Sequence, residues 1–93
     1  MCRNIQKLYN VDPAATEAEV HDAALQYVRK ISGFTKPSQA NEAAFARAVD
    51  AVAAASSRLL DELVTNAPPR DREAEAARRR EAAAKRYGAV AAR

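Results

Sequence analysis

The sequence predicts an all-α fold, and three observations support it. Apolar residues recur at helical spacing in two long segments, and alanine, the strongest helix former, supplies much of the 48 % hydrophobic content. The chain has only two glycines, and no segment shows the alternation of polar and apolar residues that is typical of a half-buried strand. Because the chain has 93 residues and only 5 % aromatic content, we expect one small folded unit with a thin core.

The first predicted element is a short N-terminal helix. Ile5, Leu8 and Tyr9 have helical spacing, and turn-forming residues lead from there to Pro13. We therefore expect about two helical turns that dock through their apolar side chains.

The second predicted helix spans about residues 17–32 and forms the first arm of an antiparallel helical hairpin. Thr16 and Glu19 have the spacing of a capping box, in which the Thr hydroxyl accepts an amide of the first turn and the Glu carboxylate reaches back to the cap residue. Gly33 is placed to end the helix in the left-handed conformation. The apolar positions predict one buried face, formed by Val20, Ala24, Tyr27, Val28 and Ile31.

The second arm of the hairpin opens at Pro37 and Ser38, with Asn41 as a competing cap. A helix of about 27 residues would be roughly 40 Å long, against about 24 Å for the first arm. Its seam would therefore extend beyond the first arm, so either the two ends of the chain or a second copy would cover the remainder. The predicted seam is Phe45, Val49, Val52, Ser56, Leu59 and Leu63, widened by Ala48, Leu60 and Val64.

The segment Ala67–Pro69 breaks the helical pattern and separates a hairpin domain, residues 1–67, from a C-terminal arm, residues 68–93. Asp71 is placed to cap a helix that runs to about Tyr87, supported by the pairs Glu75–Arg79 and Glu81–Lys85. Since that stretch has mostly alanines to pack, the sequence leaves open a solvated helix or a partly disordered arm.

The positive charge is concentrated in this arm. Up to Pro69 there are seven basic and eight acidic residues, a balance of −1, whereas from Arg70 onward eight basic residues stand against four acidic ones, a balance of +4. On a continuous helix the basic residues form a stripe that could follow phosphates or meet an acidic protein; a merely solvated helix is the alternative. The candidate basic stripe is Arg72, Arg78, Arg79, Lys85, Arg86 and Arg93.

The loop between the two hairpin helices is a second candidate binding region. It places cations, hydroxyls and an aromatic ring near a helix N-terminus, where free amides favour an anion. The alternative is structural: caps, an aromatic side chain that closes the end of the bundle, and solvated lysines. The candidate loop residues are Arg29, Lys30, Ser32, Phe34, Thr35, Lys36 and Ser38.

No catalytic or metal-binding pattern stands out in the sequence. His21 is the only histidine and Cys2 the only cysteine, so neither a zinc site nor a disulfide is expected. No phosphate-binding loop or nucleophile motif occurs. The opening residues lack the apolar run of a signal peptide, and no stretch is long and apolar enough to span a membrane. We expect a cytoplasmic protein without catalytic residues, metal or cofactor.

Several segments resemble one bacterial family, filed as domain of unknown function 2277. The resemblance covers residues 1–69, and it implies a small bacterial protein for which no activity, ligand or catalytic residue can be carried over. The segments that carry it are Met1–Ile5, Ala24–Ser38 (Ala-Leu-Gln-Tyr-Val-Arg-Lys-Ile-Ser-Gly-Phe-Thr-Lys-Pro-Ser), Ala43–Phe45, Ala48–Val49 and Leu59–Leu60.

The stretch from Leu8 through Val11–Thr16 to Glu19 and Val20 is similar to the opening of J-domain co-chaperones. In that family a His-Pro-Asp triplet between two long helices engages the chaperone ATPase. The loop here, residues 33–38, contains neither His nor Asp, so the resemblance implies the turn and the helix cap without that activity.

The sequence thus predicts a non-enzymatic protein-interaction module, either self-associating or bound to another protein. The alternative is an accessory protein that binds nucleic acid or the ribosome through the basic arm. A small-ligand function for the inter-helix loop would require a pocket there.

Overall fold

A computed structural model describes the backbone of residues 5–91 and the side-chain surroundings of residues 5–86. In this part of the chain, three helices and two very short strands follow one another. The elements are β1 (Val11–Asp12), α1 (Glu17–Ser32), α2 (Glu42–Glu62), β2 (Arg70–Asp71) and α3 (Arg72–Ala91), with a single 3-10 turn at Gln39–Asn41 before α2. The all-α prediction, with a helical hairpin and a C-terminal helix, is confirmed.

Helix α1 has the predicted bounds and caps. The Glu19 amide donates to the Thr16 hydroxyl at 3.1 Å, and the Thr16 amide donates to the Glu19 carboxylate at 3.0 Å, which completes the capping box. Gly33 ends the helix at φ 77°, and its amide donates to the Arg29 carbonyl at 2.9 Å. These local signals therefore determine both ends of α1.

The predicted N-terminal helix is wrong for the residues that the structure describes. Residues 5–8 have no regular secondary structure, and a turn at Tyr9–Asn10 leads into β1. The two strands pair in parallel, with Val11 opposite Arg70. A helix of two turns is marginal by itself, so hydrogen bonds to the segment after α2 outweigh the local preference. Strands of two residues are too short to produce a sequence pattern.

Helix α2 is shorter than predicted. It has 21 residues, about 32 Å at 1.5 Å per residue, because the 3-10 turn replaces its expected first turn. Asn41 occupies the N-cap position, but its side-chain amide donates to the Ser38 hydroxyl at 2.8 Å instead of capping an α2 amide. At the other end, Leu63 turns to an extended conformation with ψ 141°.

The core lies between α1 and α2 and is small. Among the described residues, only Val20, Ala24, Val28 and Val49 are buried hydrophobics, with Phe45 and Val52 among the side chains packed against them. The predicted faces are therefore only partly covered. Five large side chains predicted to be buried are exposed instead: Tyr27, Ile31, Leu59, Leu63 and Val64.

The predicted seam of α2 fails at its C-terminal end, where Leu60 is half-buried and Leu59 is exposed. A straight α-helix has 3.6 residues per turn, so a seam with a seven-residue repeat drifts by about 20° per heptad. Over the length of α2 this drift accounts for an exposed Leu59 beside a half-buried Leu60.

Helix α3 begins as predicted, because the Asp71 carboxylate accepts the Ala74 amide at 2.9 Å. At its start, Arg72 and residues 74–76 are half-buried, whereas Glu73 and residues 77–82 and 84–86 are exposed. The predicted Glu75–Arg79 pair is replaced, since Arg70 binds the Glu75 carboxylate. The radius of gyration is 17.5 Å, against about 13 Å for a compact chain of 100 residues, so α3 projects from the hairpin as an arm.

None of the helices within the described residues is both long and apolar enough to cross a membrane.

Candidate functional site

Several polar contacts join the N-terminal part of the described chain to the start of α3. Asn10 is central to this junction. Its carbonyl accepts the Arg70 amide at 2.9 Å, and its side-chain amide donates to the carbonyls of Ala67 and Pro68, both at 3.2 Å. Asn10 has φ 53°, a left-handed conformation that asparagine tolerates better than most residues. Asn10 is one of the turn-forming residues before Pro13, and the sequence gives no further indication of this role.

An ion pair joins the starts of α1 and α3 at the same junction. Arg72 donates from Nη1 to Oε2 of Glu19 at 2.6 Å, across 53 residues of sequence. The hydrogen bond from Arg72, and after it the backbone amide of Thr16, lowers the pKa of Glu19 below its ordinary value of 4.5. One carboxylate therefore caps α1 and holds α3.

A second ion pair braces the first turns of α3. Arg70 presents Nε and Nη2 to the two carboxylate oxygens of Glu75, with 2.9 Å between Nη2 and Oε2. This is a bidentate arrangement, in which one edge of the guanidinium binds two oxygens at once.

The two ion pairs border a cavity of about 690 Å³, which we call the basic groove. Its walls come from Ile5–Lys7, Val11 and the first turns of α3. Five cationic side chains and one carboxylate line it, and that carboxylate, Glu75, is already bound by Arg70. The cations are Lys7, Arg70, Arg72, Arg79 and Arg80.

Arg72 has unused hydrogen-bonding capacity in this groove. Its Nε and Nη2 atoms are buried, and neither has a hydrogen-bond partner within the part of the chain that the structure describes. A buried donor without a partner costs on the order of 1–3 kcal/mol. Within the described residues, the basic groove thus combines five cationic side chains with two unpartnered donors of Arg72. Nε of Arg29, one of the candidate loop residues, is likewise buried without a partner there.

The predicted basic stripe is divided by the structure. Arg72 and Arg79 line the basic groove, whereas Arg78, Lys85 and Arg86 are exposed on α3. Arg80, which the stripe did not include, lines the groove as well. Arg93 lies outside the described residues. The sequence pattern of α3 could not indicate this division, because it depends on the tertiary structure: Lys7 and Arg70 reach the groove from segments outside α3.

The candidate loop between α1 and α2 uses some of its polar groups internally. The Ser32 hydroxyl accepts the Phe34 amide at 3.2 Å, and the Ser38 hydroxyl accepts the Asn41 side chain. Phe34 and Thr35 are exposed, as are Lys30 and Lys36; Arg29 is half-buried. None of these residues lines the basic groove. Anion binding by the loop stays a prediction.

An apolar face runs along one side of the hairpin. A small cavity of about 210 Å³ is lined by Tyr27 of α1 together with Val52 and Ser56 of α2, so these residues share that side. One helical turn beyond Tyr27 lies Ile31, and the positions three and seven residues beyond Ser56 are Leu59 and Leu63. We call Tyr27, Ile31, Leu59 and Leu63 the apolar face; they are 45 %, 66 %, 54 % and 44 % exposed.

Within the described residues there is no group of three or more His, Cys, Asp and Glu side chains that could hold a metal ion. His21 is exposed on α1, and Cys2 lies outside the described residues.

Comparison with known proteins gives one match. The model of the family described as uncharacterized conserved protein DUF2277 matches residues 1–78. This is nine residues more than the 1–69 of the sequence resemblance, and it takes in the junction with Asn10, Glu19 and Arg72. The match ends inside α3, just before Arg79. No curated protein and no solved structure matches the chain.

Proposed function

The chain belongs to the DUF2277 family of uncharacterized conserved proteins, and we propose that it is a non-enzymatic protein-interaction module whose hairpin pairs with a second helical layer. The observation that carries this proposal is the apolar face. Domains normally bury the apolar sides of their elements between two layers. Here, among the described residues, three buried hydrophobics form the cluster between α1 and α2, and the apolar face stays open along the hairpin.

A second copy of the chain is the occupant that this face fits best. Ile31 lies at the loop end of the hairpin, and Leu59 and Leu63 lie at its open end. In a two-fold antiparallel arrangement, the loop end of each copy would meet the open end of the other, so each apolar patch would find an apolar partner. The product would be a four-helix bundle.

The available area is sufficient for such an interface. A large side chain contributes about 200 Å² when fully exposed. Phe34 at the loop end is 43 % exposed. On that scale, the exposed area of the apolar face and Phe34 together is roughly 500 Å² in each copy. Two copies would then bury about 1,000 Å² of apolar surface, which reaches the lower bound for a specific interface.

Sedimentation equilibrium over a wide concentration range tests the proposal. We expect a monomer–dimer equilibrium, and Leu59→Glu should weaken it by about a hundredfold because it places a charge in an apolar interface. Ala54→Glu adds the same charge at an exposed position on the opposite side of α2 and is the matched control. A strict monomer at high concentration, or an equal loss in both variants, contradicts the proposal.

Nucleic-acid binding by α3 is the second candidate function, favoured by the exposed cations Arg78, Lys85 and Arg86 on the projecting arm. If about four phosphates are contacted, log affinity should fall with log salt at a slope near −3 to −4. A chain that ends at Ala77 keeps both ion pairs of the junction and removes these cations, so it should lose binding without unfolding. A flat salt dependence, or unchanged binding after truncation, contradicts this candidate.

A further inference from the structure

We propose that the basic groove binds a terminal phosphate group through the unused edge of Arg72. This inference is independent of the pairing of apolar faces, which lie on the hairpin and do not line the groove.

A comparison of Arg70 with Arg72 shows which kind of ligand the unused edge of Arg72 is suited to bind. Arg70 uses Nε and Nη2 together to hold both oxygens of the Glu75 carboxylate. In Arg72 the same two atoms have no partner within the described residues. The remaining nitrogen, Nη1, donates to the Glu19 carboxylate. This contact orients the guanidinium and leaves a preformed fork for two oxygens of one oxoanion.

The charge of the groove favours a dianion over a carboxylate. The charge of Glu75 is offset by Arg70 and that of Glu19 by Arg72, so Lys7, Arg79 and Arg80 add positive charge that no ion pair given above neutralises. The N-terminus of α3 contributes the positive end of its dipole at the same place. A terminal phosphate carries close to two negative charges at neutral pH, whereas a carboxylate or a phosphodiester carries one.

Access to Arg72 requires a small movement of the groove wall. Both unused nitrogens are covered from water. Part of that wall is the segment Ile5–Lys7, which belongs to no helix or strand and is therefore the part best able to shift. Binding should consequently change the surroundings of Ile5–Lys7 as well as those of Arg72.

Titration of the full chain with inorganic phosphate, followed by nuclear magnetic resonance, tests the inference directly. We expect saturable shifts of the Arg72 Nε–H signal and of the amides of residues 5–7, with little change at the Arg70 Nε–H. Acetate at equal ionic strength should produce markedly weaker shifts. Shifts spread evenly over all arginines of α3, or no saturation, would show general ionic attraction and overturn the inference.

One variant separates the edge of Arg72 from its charge. Arg72→Lys keeps the charge but removes the fork, and phosphate affinity should fall by roughly tenfold. Because this change also alters the contact with Glu19, a matched pair of variants at other positions of α3 is needed as well. Arg80→Gln removes a cation that lines the groove and should weaken binding by about fivefold, whereas Arg86→Gln removes an exposed cation of α3 that does not line the groove and should have little effect. Equal losses at Arg80 and Arg86 contradict the inference.

A short single-stranded RNA distinguishes the sources of the phosphate. An oligonucleotide with a 5′-phosphate should compete with inorganic phosphate for the groove, and the same oligonucleotide with a 5′-hydroxyl should not. If inorganic phosphate alone binds, the ligand is a small phosphorylated molecule. If both oligonucleotides bind equally and inorganic phosphate does not compete, the groove recognises the nucleic-acid backbone, and a terminal-phosphate site is ruled out.

Discussion

The hairpin and the junction at the start of α3 are held together by different forces. Between α1 and α2 the contacts are apolar, with Val28 and Val49 at the centre of the core. At the junction they are polar: the hydrogen bonds of Asn10, the parallel pairing of β1 with β2, and the Glu19–Arg72 pair. Glu19 connects the two regions, since it caps α1 and also binds Arg72.

The difference predicts that the two regions respond separately to a perturbation. Apolar burial has little dependence on pH or salt, whereas charged contacts depend on both. The hairpin should therefore persist under conditions that release α3. The following changes test this separation, from the largest expected effect to the smallest.

Val49→Ala should cause the largest loss of stability. Val49 is 4 % exposed, and removing two methyl groups from the core should lower the free energy of unfolding by about 2 kcal/mol. Chemical denaturation followed by circular dichroism measures this effect. A loss below about 0.5 kcal/mol, typical of a surface position, would mean that the hairpin core does not dominate stability.

Asn10→Ala should weaken the junction without unfolding the hairpin. It removes the hydrogen bonds to Ala67 and Pro68 and strains the left-handed conformation, for a combined cost of about 1–2 kcal/mol. Hydrogen exchange of the Arg70 amide, which donates to the Asn10 carbonyl, measures the opening of the junction.

Asn10→Gly is the matched control, because glycine accepts φ 53° while losing the same side-chain bonds. It should open the junction less than Asn10→Ala does. An equal effect of both variants would assign the whole cost to the hydrogen bonds, and an equal loss of protection in α1 and α2 would show that the regions are not separable.

Acidification should release α3 before it affects the hairpin. Because the pKa of Glu19 is lowered in the folded chain, its contribution is fully present above pH 4.5 and is lost as the pH falls through the lowered value. A fluorescence energy-transfer pair on α1 and α3 should report separation below pH 4.5, while helicity of the hairpin persists.

Glu19→Gln tests the same contact at neutral pH. The amide keeps the shape of the side chain but removes the charge that attracts Arg72, so the distance between α1 and α3 should increase and lose its dependence on pH below 4.5. If the wild-type chain and the Glu19→Gln variant show identical pH profiles, another group controls the junction.

Leu59→Ala should have the smallest effect on the monomer. Leu59 is 54 % exposed, so at low protein concentration the free energy of unfolding should change by less than about 0.5 kcal/mol. At high concentration the same variant should weaken association. A large loss of stability at low concentration would show that Leu59 packs within one chain.

The candidate residues differ in how far the sequence could predict them. The basic residues of α3 were recognised from charge alone, but their division between the basic groove and the solvent depends on which of them face Lys7 and Arg70. Asn10 gave no signal beyond that of a turn, because its hydrogen bonds span 57 and 58 residues of sequence.

What the sequence by itself determined is local: the bounds of α1, through Thr16, Glu19 and Gly33, and the Asp71 cap of α3. These features depend on residues within one or two turns of each other, so their physics is contained in short segments. Only the tertiary structure decided that residues 5–12 form a turn and a strand, that Arg72 reaches Glu19, and that Leu59 is exposed while Leu60 is half-buried. Each of these depends on contacts between distant segments, or on a small drift accumulated along a helix, and neither is visible in local spacing.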